Sequence, residues 1–288
     1  MPALACLNGV FSSPEDARVP IWDRGFLFGD SVYEVCRLYQ GRAWLEAEHW
    51  ARLDRSLSAV RIRGVDLDAL ALRMRQTVLK SQIKEGIVYI QFTRGVAPRA
   101  HAFPQPPVPP TELIVVMPYD DGPTARRRIE GAAVISRPDL RWGRCDIKST
   151  NLLPNVLACQ EATEAGAIEA VLVDRDGYVT EATHSSLLWV RQGVVEASPE
   201  GTEILPGTTR QLLLRLIREE GLSFRETRIA RSELAACEEV LLSGTTLELM
   251  PVVRVDGDPV GSGMPGPIAR RLQTAFRRSV QRWLETGA

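Results

Sequence analysis

The sequence predicts an α+β protein in two domains, and three features lead there. Segments with strand and helix patterns do not alternate regularly, which argues against a doubly wound parallel sheet. The 288 residues are more than one ordinary core usually organises. Residues 119–124 (Tyr-Asp-Asp-Gly-Pro-Thr) have linker composition. The expected layout is a smaller N-terminal domain over 1–118, a linker over 119–124, and a larger C-terminal domain over 125–288 carrying the reactive lysine discussed below.

In the first domain, Asn8-Gly9 predicts the turn of a hairpin joining strands at 4–7 and 10–11. Residues 33–39 alternate as a strand, and Gln40-Gly41 turns the chain toward another at 43–45. Trp50, Leu53, Leu57 and Val60 fall at helical spacing and predict a helix over 46–62. The pattern repeats over 67–83, with Gly86 as its stop. Strands at 87–93 and 113–117 follow, separated by a loop holding Pro104, Pro106, Pro107, Pro109 and Pro110.

The second domain mixes strands at 132–136, 170–173, 186–190 and 240–243 with helices. One helix covers 155–165 and ends at Gly166; another covers 208–220 and ends at Gly221. The last starts near Pro267 and turns Ile268, Leu272, Phe276, Val280 and Leu284 inward.

Hydrophobic residues make up 44% and charged residues 25%, which is the balance of a globular protein with a full core. A net charge of −1 with mixed signs argues against nucleic acid as the main partner. The N-terminus shows no basic region followed by an apolar run, and no stretch reaches about 18 uninterrupted apolar residues, so neither a signal peptide nor a membrane span is expected. Five irregularly spaced cysteines form neither a disulfide framework nor a zinc pattern, and with three histidines no metal is expected. The expected compartment is the reducing cytoplasm.

Lysine is scarce here. Lys and Arg together number 35, yet the lysines are Lys80, Lys84 and Lys148 alone. Lys80 and Lys84 share a polar helix face. Lys148, between a strand-like run and a helix, is the candidate for chemistry, because a lysine amine can become neutral and attack a carbonyl to form an imine, whereas arginine stays protonated.

Other candidates surround it in type. Gly207-Thr208-Thr209-Arg210 opens a helix, where free amides, the dipole and two hydroxyls suit a phosphate; from this segment alone a plain helix cap by Thr208 or Thr209 is the default. Ser243-Gly244-Thr245-Thr246 follows a strand and offers a second hydroxyl edge. Glu181, beside a run of small polar residues, suits a protonated ring nitrogen, although exposed loop acids are common. Arg99 and His101 lie two apart after Pro98, so in an extended segment both point one way, toward a carboxylate or simply toward solvent. Arg52 lies on a helix, where surface exposure is the default, and His49 nearby packs or caps as readily as it functions.

Taken together, Asp23 to Glu34 (Asp-Arg-Gly-Phe-Leu-Phe-Gly-Asp-Ser-Val-Tyr-Glu), Glu48 to Leu53, Thr93 to His101, Cys145 to Leu153, Val179-Thr180-Glu181 and Ile204 to Arg210 resemble the class IV, fold-type IV pyridoxal-phosphate aminotransferases, and within them the D-amino-acid branch. The matching stretches run in family order over almost the whole chain. The resemblance implies a two-domain α+β fold with pyridoxal 5'-phosphate between the domains. It implies that Lys148 binds the cofactor as an imine and shuttles the proton, while Glu181 pairs with the ring nitrogen. Arg52, Thr208, Thr209 and Thr245 would hold the phosphate, and Leu205 would pack on the ring. Tyr33, Arg99 and His101 would take the substrate carboxylate, with the Arg99–His101 loop reaching across a homodimer.

The implied reaction is ping-pong transfer of an amino group between D-amino acids, of the D-alanine or D-glutamate type, and 2-oxo acids. Aminodeoxychorismate lyase and branched-chain L-amino-acid aminotransferase, on the same fold with the same lysine, are the alternatives, followed by a non-enzymatic phosphate-binding protein. Three positions depart from the family pattern: His184 and Gly244, where serine is usual, and Pro154, where a more flexible residue is common.

Overall fold

Asn8 and Gly9 take positive φ (49° and 82°) and close the expected hairpin between β1 (Leu4–Leu7) and β2 (Val10–Ser12). The computed structural model describes residues 2–287, and the chain divides into two compact units. One takes the chain up to Asp120 together with Ile147–Asn151; the other takes Asp121–Asp146 and everything from Leu152 onward. The α+β class read from the sequence is present in both.

The first unit continues with a short helix α1 (Arg24–Phe28), capped by the Asp23 carboxylate, which accepts from the Gly25 N–H at 2.8 Å. Strands β3 (Ser31–Tyr39) and β4 (Arg42–Ala43) follow, then helices α2 (Glu46–Ala59) and α3 (Leu67–Ser81), then β5 (Gly86–Thr93) and β6 (Thr111–Pro118). The six strands pair antiparallel in the order β2-β1-β6-β5-β3-β4. Val32, Cys36, Val88, Ile90, Ile114 and Val116 bury one sheet face against Leu53 and Leu57 of α2 and Leu70, Met74 and Val78 of α3. The two predicted helices end earlier than expected. Val60 caps α2, and a left-handed Gln82 ends α3, so Gly86 starts a strand instead of stopping a helix.

The second unit begins with α4 (Gly122–Glu130), so residues 122–124, expected in a linker, are its first turn. It then runs β7 (Ala132–Pro138), α5 (Leu153–Glu164), β8 (Glu169–Val173), β9 (Val179–Ala182), β10 (Ser186–Arg191), β11 (Val194–Ala197), α6 (Thr208–Glu219), β12 (Phe224–Glu226), α7 (Arg231–Leu234), β13 (Glu239–Gly244), β14 (Glu248–Val255), β15 (Asp258–Pro259) and α8 (Pro267–Thr286). The sheet is mixed, in the order β12-β11-β10-β13-β14-β7-β8-β9 with β15 on β14, and the β11/β12, β14/β7 and β7/β8 pairs are parallel. Pro154 sits in the first turn of α5, a position where a missing N–H costs nothing. In α8, Ala269, Leu272, Ala275 and Phe276 are buried, whereas Ile268, Val280 and Leu284 are only partly covered. Among the described residues no helix is long and apolar enough to cross a membrane.

The sequence reading placed Lys148 in the C-terminal domain; Ile147–Asn151 instead groups with the first unit. The cause is main-chain pairing along the outer side of β3. Val32 bridges Ser149, the Tyr33 N–H donates to the Lys148 carbonyl at 3.0 Å, and the Thr150 N–H donates to the Ser31 carbonyl at 3.2 Å. Gly29 makes room for this segment. Its φ is +64°, and a Cβ there would stand 2.7 Å from the Asn151 side-chain oxygen. Gly29→Ala should therefore destabilise the protein by about 1–2 kcal/mol from the left-handed backbone alone. Calorimetry should show a lower unfolding midpoint than wild type; an unchanged midpoint would contradict this packing.

Candidate active site

Within the first unit, the Lys148 backbone is fixed on both sides, its carbonyl by Tyr33 and its N–H by the Ser56 hydroxyl at 3.2 Å. The amine Nζ stands 4.2 Å from the centroid of the Tyr33 ring, and Tyr33 in turn stacks on Tyr89 at 5.7 Å. None of the salt bridges among the described residues involves Lys148. The amine therefore rests on an aromatic face with no carboxylate occupying it, which leaves the nitrogen, once deprotonated, open to a carbonyl.

Next to Tyr33 in the strand, Glu34 points to the opposite face and is completely buried. Arg52 clasps it with two bonds, Nε to Oε1 at 2.7 Å and a terminal nitrogen to Oε2 at 2.8 Å, and His49 Nδ1 lies 2.7 Å from Oε2. Burial alone would raise the Glu34 carboxyl; Arg52 and His49 outweigh it and hold it well below the usual carboxylate range. His49 is pushed below its ordinary value, chiefly by burial. Arg52 is therefore a buried, rigid guanidinium and not a surface charge. Arg99 and His101 are exposed on the loop after β5. The first unit thus brings Lys148 and Tyr33 together, and Arg52 onto Glu34.

In the second unit, Glu181 on β9 is buried, with Arg141 as its ion partner and the Leu205 N–H donating to both oxygens at 3.2 Å. Arg141 is itself locked by Asp139, through Nε at 3.0 Å and a terminal nitrogen at 2.7 Å. Burial raises the Glu181 carboxyl to about 7, outweighing Arg141 and the Leu205 amide, which act to lower it. A carboxylate this poorly solvated gains from a cationic neighbour such as a protonated ring nitrogen.

Helix α6 supplies an anion seat. Its N-cap is Gly207, which offers no side-chain acceptor, so the first-turn N–H groups are not capped from within. Thr208 and Thr209 open the helix and are 3% and 4% exposed. A Cβ on Gly207 would come 2.7 Å from the Ser186 hydroxyl, so a larger residue there would force that side chain to move. Ser186 pairs with Ser243 across β10 and β13, and the buried Ser243 hydroxyl has no hydrogen-bond partner among the described residues. An unanswered buried hydroxyl on the strand pair facing this helix start fits an anionic tail that completes its bonding. Thr245 lies, half-buried, in the turn that follows β13.

The remaining departures are explained locally. A Cβ at Gly244 would meet only ordinary contacts, 3.6 Å from the Ser185 Cβ, so serine and glycine are both tolerated. His184 pairs at 2.9 Å with Glu169, a fully buried acid that also accepts from the Thr183 and Ser185 hydroxyls.

Sequence reasoning missed Arg141, Asp139 and Glu34, and it named Ser243 only within a hydroxyl cluster, not as an unpartnered side chain. Glu34 stood inside a matched stretch without a role, and Asp139 and Arg141 carried only an alternate-residue spacing in an irregular segment. Nothing in the sequence signals an unpartnered serine.

With this geometry described, known proteins offer a comparison. The amino-transferase class IV family profile matches residues 31–255. D-alanine aminotransferase of Bacillus licheniformis is 39% identical over 277 residues, covering 95% of each chain. The Staphylococcus epidermidis enzyme of the same name is 37% identical over 279 residues, 96% of this chain and 97% of that one. Among solved structures, the Escherichia coli branched-chain amino acid aminotransferase superposes with a TM-score of 0.88 at 27% identity, covering 96% of this chain and 93% of that one. A second branched-chain amino acid aminotransferase, solved with pyridoxamine 5'-phosphate, gives 0.87 at 27%, covering 97% and 94%.

The raised Glu181 carboxyl has a consequence for stability. The fold binds this proton more tightly than the unfolded chain does, so the contribution is full below about pH 4.5 and is lost as pH rises through about 7. The loss is at most about 3 kcal/mol in the cofactor-free protein. The unfolding midpoint of Glu181→Gln should therefore gain on wild type between about pH 5 and pH 8; parallel midpoints would refute the assignment.

Proposed function

The chain belongs to the class IV aminotransferases, and on that basis we propose that it transfers amino groups between D-amino acids, D-alanine and D-glutamate among them, and 2-oxo acids, using pyridoxal 5'-phosphate. The observation that carries this is the Lys148 amine, held by its backbone and lying 4.2 Å from the Tyr33 ring. The D-specific reading is supported by identities of 37–39% to two D-alanine aminotransferases over nearly whole chains. The branched-chain L-amino-acid reading rests on fold likeness at 27% identity.

The cofactor supplies an aldehyde that condenses with amines and a ring that takes up the electrons released when a substrate Cα loses its proton. Lys148 is the residue that would hold the cofactor through its amine, and the same Nζ would accept and return the Cα proton. Glu181 keeps the ring nitrogen protonated, oriented by Arg141 and the Leu205 N–H. The family pattern assigns Leu205 to the face of the ring, which it would cover. Thr208, Thr209 and Thr245 would hold the phosphate, with Ser243 completing its own bonding, and the family pattern assigns Arg52, whose fork Glu34 orients, to the same anion. Tyr33, Arg99 and His101 take the substrate carboxylate by charge and hydrogen bond. The family pattern supports a homodimer in which the Arg99–His101 loop serves the partner's site. Five unpaired cysteines support a cytoplasmic location.

With D-alanine and 2-oxoglutarate the purified enzyme should form pyruvate and D-glutamate, and Lys148→Ala should abolish turnover. Chiral chromatography of the glutamate decides: an L product, or normal turnover by Lys148→Ala, would overturn the proposal.

A further inference from the structure

Residues 99–102 carry the two side chains assigned to the substrate carboxylate, yet they lie in no helix or strand and are exposed. No backbone-to-backbone hydrogen bond among the described residues holds them. Something else must fix their direction, because a carboxylate clamp loses its value if its two arms wander independently.

That something is a single buried guanidinium. Arg24, the first residue of α1, has a side chain only 4% exposed. One of its terminal nitrogens donates to the Ala100 carbonyl at 2.6 Å and the Ala102 carbonyl at 3.3 Å, and the other donates to the His101 carbonyl at 3.3 Å. Its Nε donates to Asp30 at 2.8 Å. Three consecutive loop carbonyls therefore converge on one planar fork, a geometry that lysine cannot reproduce.

Phe28, one helical turn on, completes the platform. The Arg24 guanidinium lies 4.9 Å from its ring centroid, the Arg99 guanidinium 5.3 Å and the His101 ring 5.6 Å. Both carboxylate-binding side chains thus rest on one aromatic surface. Beneath it, Asp30 is shared with Arg94, which binds it through two nitrogens at 2.8 and 2.9 Å and also donates to the Val60 and Arg61 carbonyls. Burial works to raise the Asp30 carboxyl, but Arg94 and Arg24 outweigh it and hold it below its ordinary value. Arg94 also covers the Phe103 ring at 3.6 Å, anchoring the loop one residue beyond the clamp.

We propose that Arg24 and Phe28 are positioning residues for substrate recognition, presetting Arg99 and His101 on the exposed loop through three carbonyl bonds and a shared aromatic platform. This rests on the carboxylate role proposed for Arg99 and His101. Arg24 and Phe28 act through the loop they hold. The loop is therefore set within its own subunit, before any substrate arrives.

The test is steady-state kinetics of the pyridoxal-phosphate-loaded enzyme with D-alanine and 2-oxoglutarate, comparing wild type with Arg24→Gln, Arg24→Lys, Phe28→Leu, Arg99→Ala and Arg24→Gln/Arg99→Ala. Arg24→Gln should raise KM for both substrates about tenfold while kcat changes much less and the cofactor absorption is kept. Arg24→Lys should recover only part of that loss. In the double variant the two increases in KM should be less than additive, because with Arg99 already missing only His101 is left for the loss of Arg24 to misplace. Phe28→Leu, which keeps an apolar side chain but removes the platform, should raise KM by about threefold and decides the matter where Arg24→Gln does not fold. An unchanged KM in Arg24→Gln and Phe28→Leu beside a raised KM in Arg99→Ala would overturn this inference and leave the proposed function standing. Additive effects in the double variant would overturn it equally. An unchanged KM in Arg99→Ala would remove the carboxylate role itself.

Discussion

A short stretch of main-chain pairing governs this molecule. Ile147–Asn151 belongs in sequence to the region of the second unit, yet two amide bonds and a bridge fasten it along β3 of the first. Those bonds fix the backbone of Lys148 on either side, so the only freedom left to its amine is that of its own four-carbon stem. The same strand then supplies Tyr33 beneath the amine, and Glu34 on the opposite face to clasp Arg52. Gly29 permits the arrangement because any side chain there would meet Asn151.

Both units share a second constraint: a buried carboxylate must be answered by a cation. Glu34 is answered fully, by a two-pronged arginine and a histidine, and its carboxyl is held low. Glu181 is answered incompletely: burial raises its carboxyl by more than Arg141, which Asp139 also binds, and the Leu205 amide lower it. The contrast separates their roles. A satisfied pair of this kind orients a guanidinium, whereas an acid left wanting a partner is suited to recruit one from a ligand.

The sequence made the chemistry legible through rarity: in an arginine-dominated chain Lys148 stood out, and the helix opening at Gly207-Thr208-Thr209 carried its own anion signature. Hairpin turns at Asn8-Gly9 and Gln40-Gly41 were readable because Asn8 and the two glycines are residue types that tolerate positive φ. β14 was hidden because Pro251 lies inside it, and proline normally argues against an interior strand. The ion networks were hidden for a different reason. Arg24 meets carbonyls 76 to 78 residues away and Arg141 meets Glu181 40 residues away, and such pairings leave no periodic trace. The grouping of the lysine segment with the first unit was hidden because local sequence cannot show which sheet edge a connecting segment will join.

The scarcity of lysine makes the central claim directly measurable. Borohydride reduction of the purified protein with pyridoxal 5'-phosphate, followed by peptide mass mapping, should place one phosphopyridoxyl group on the peptide containing Lys148. A label on Lys80 or Lys84 with Lys148 unmodified, or no label at all, would contradict the account.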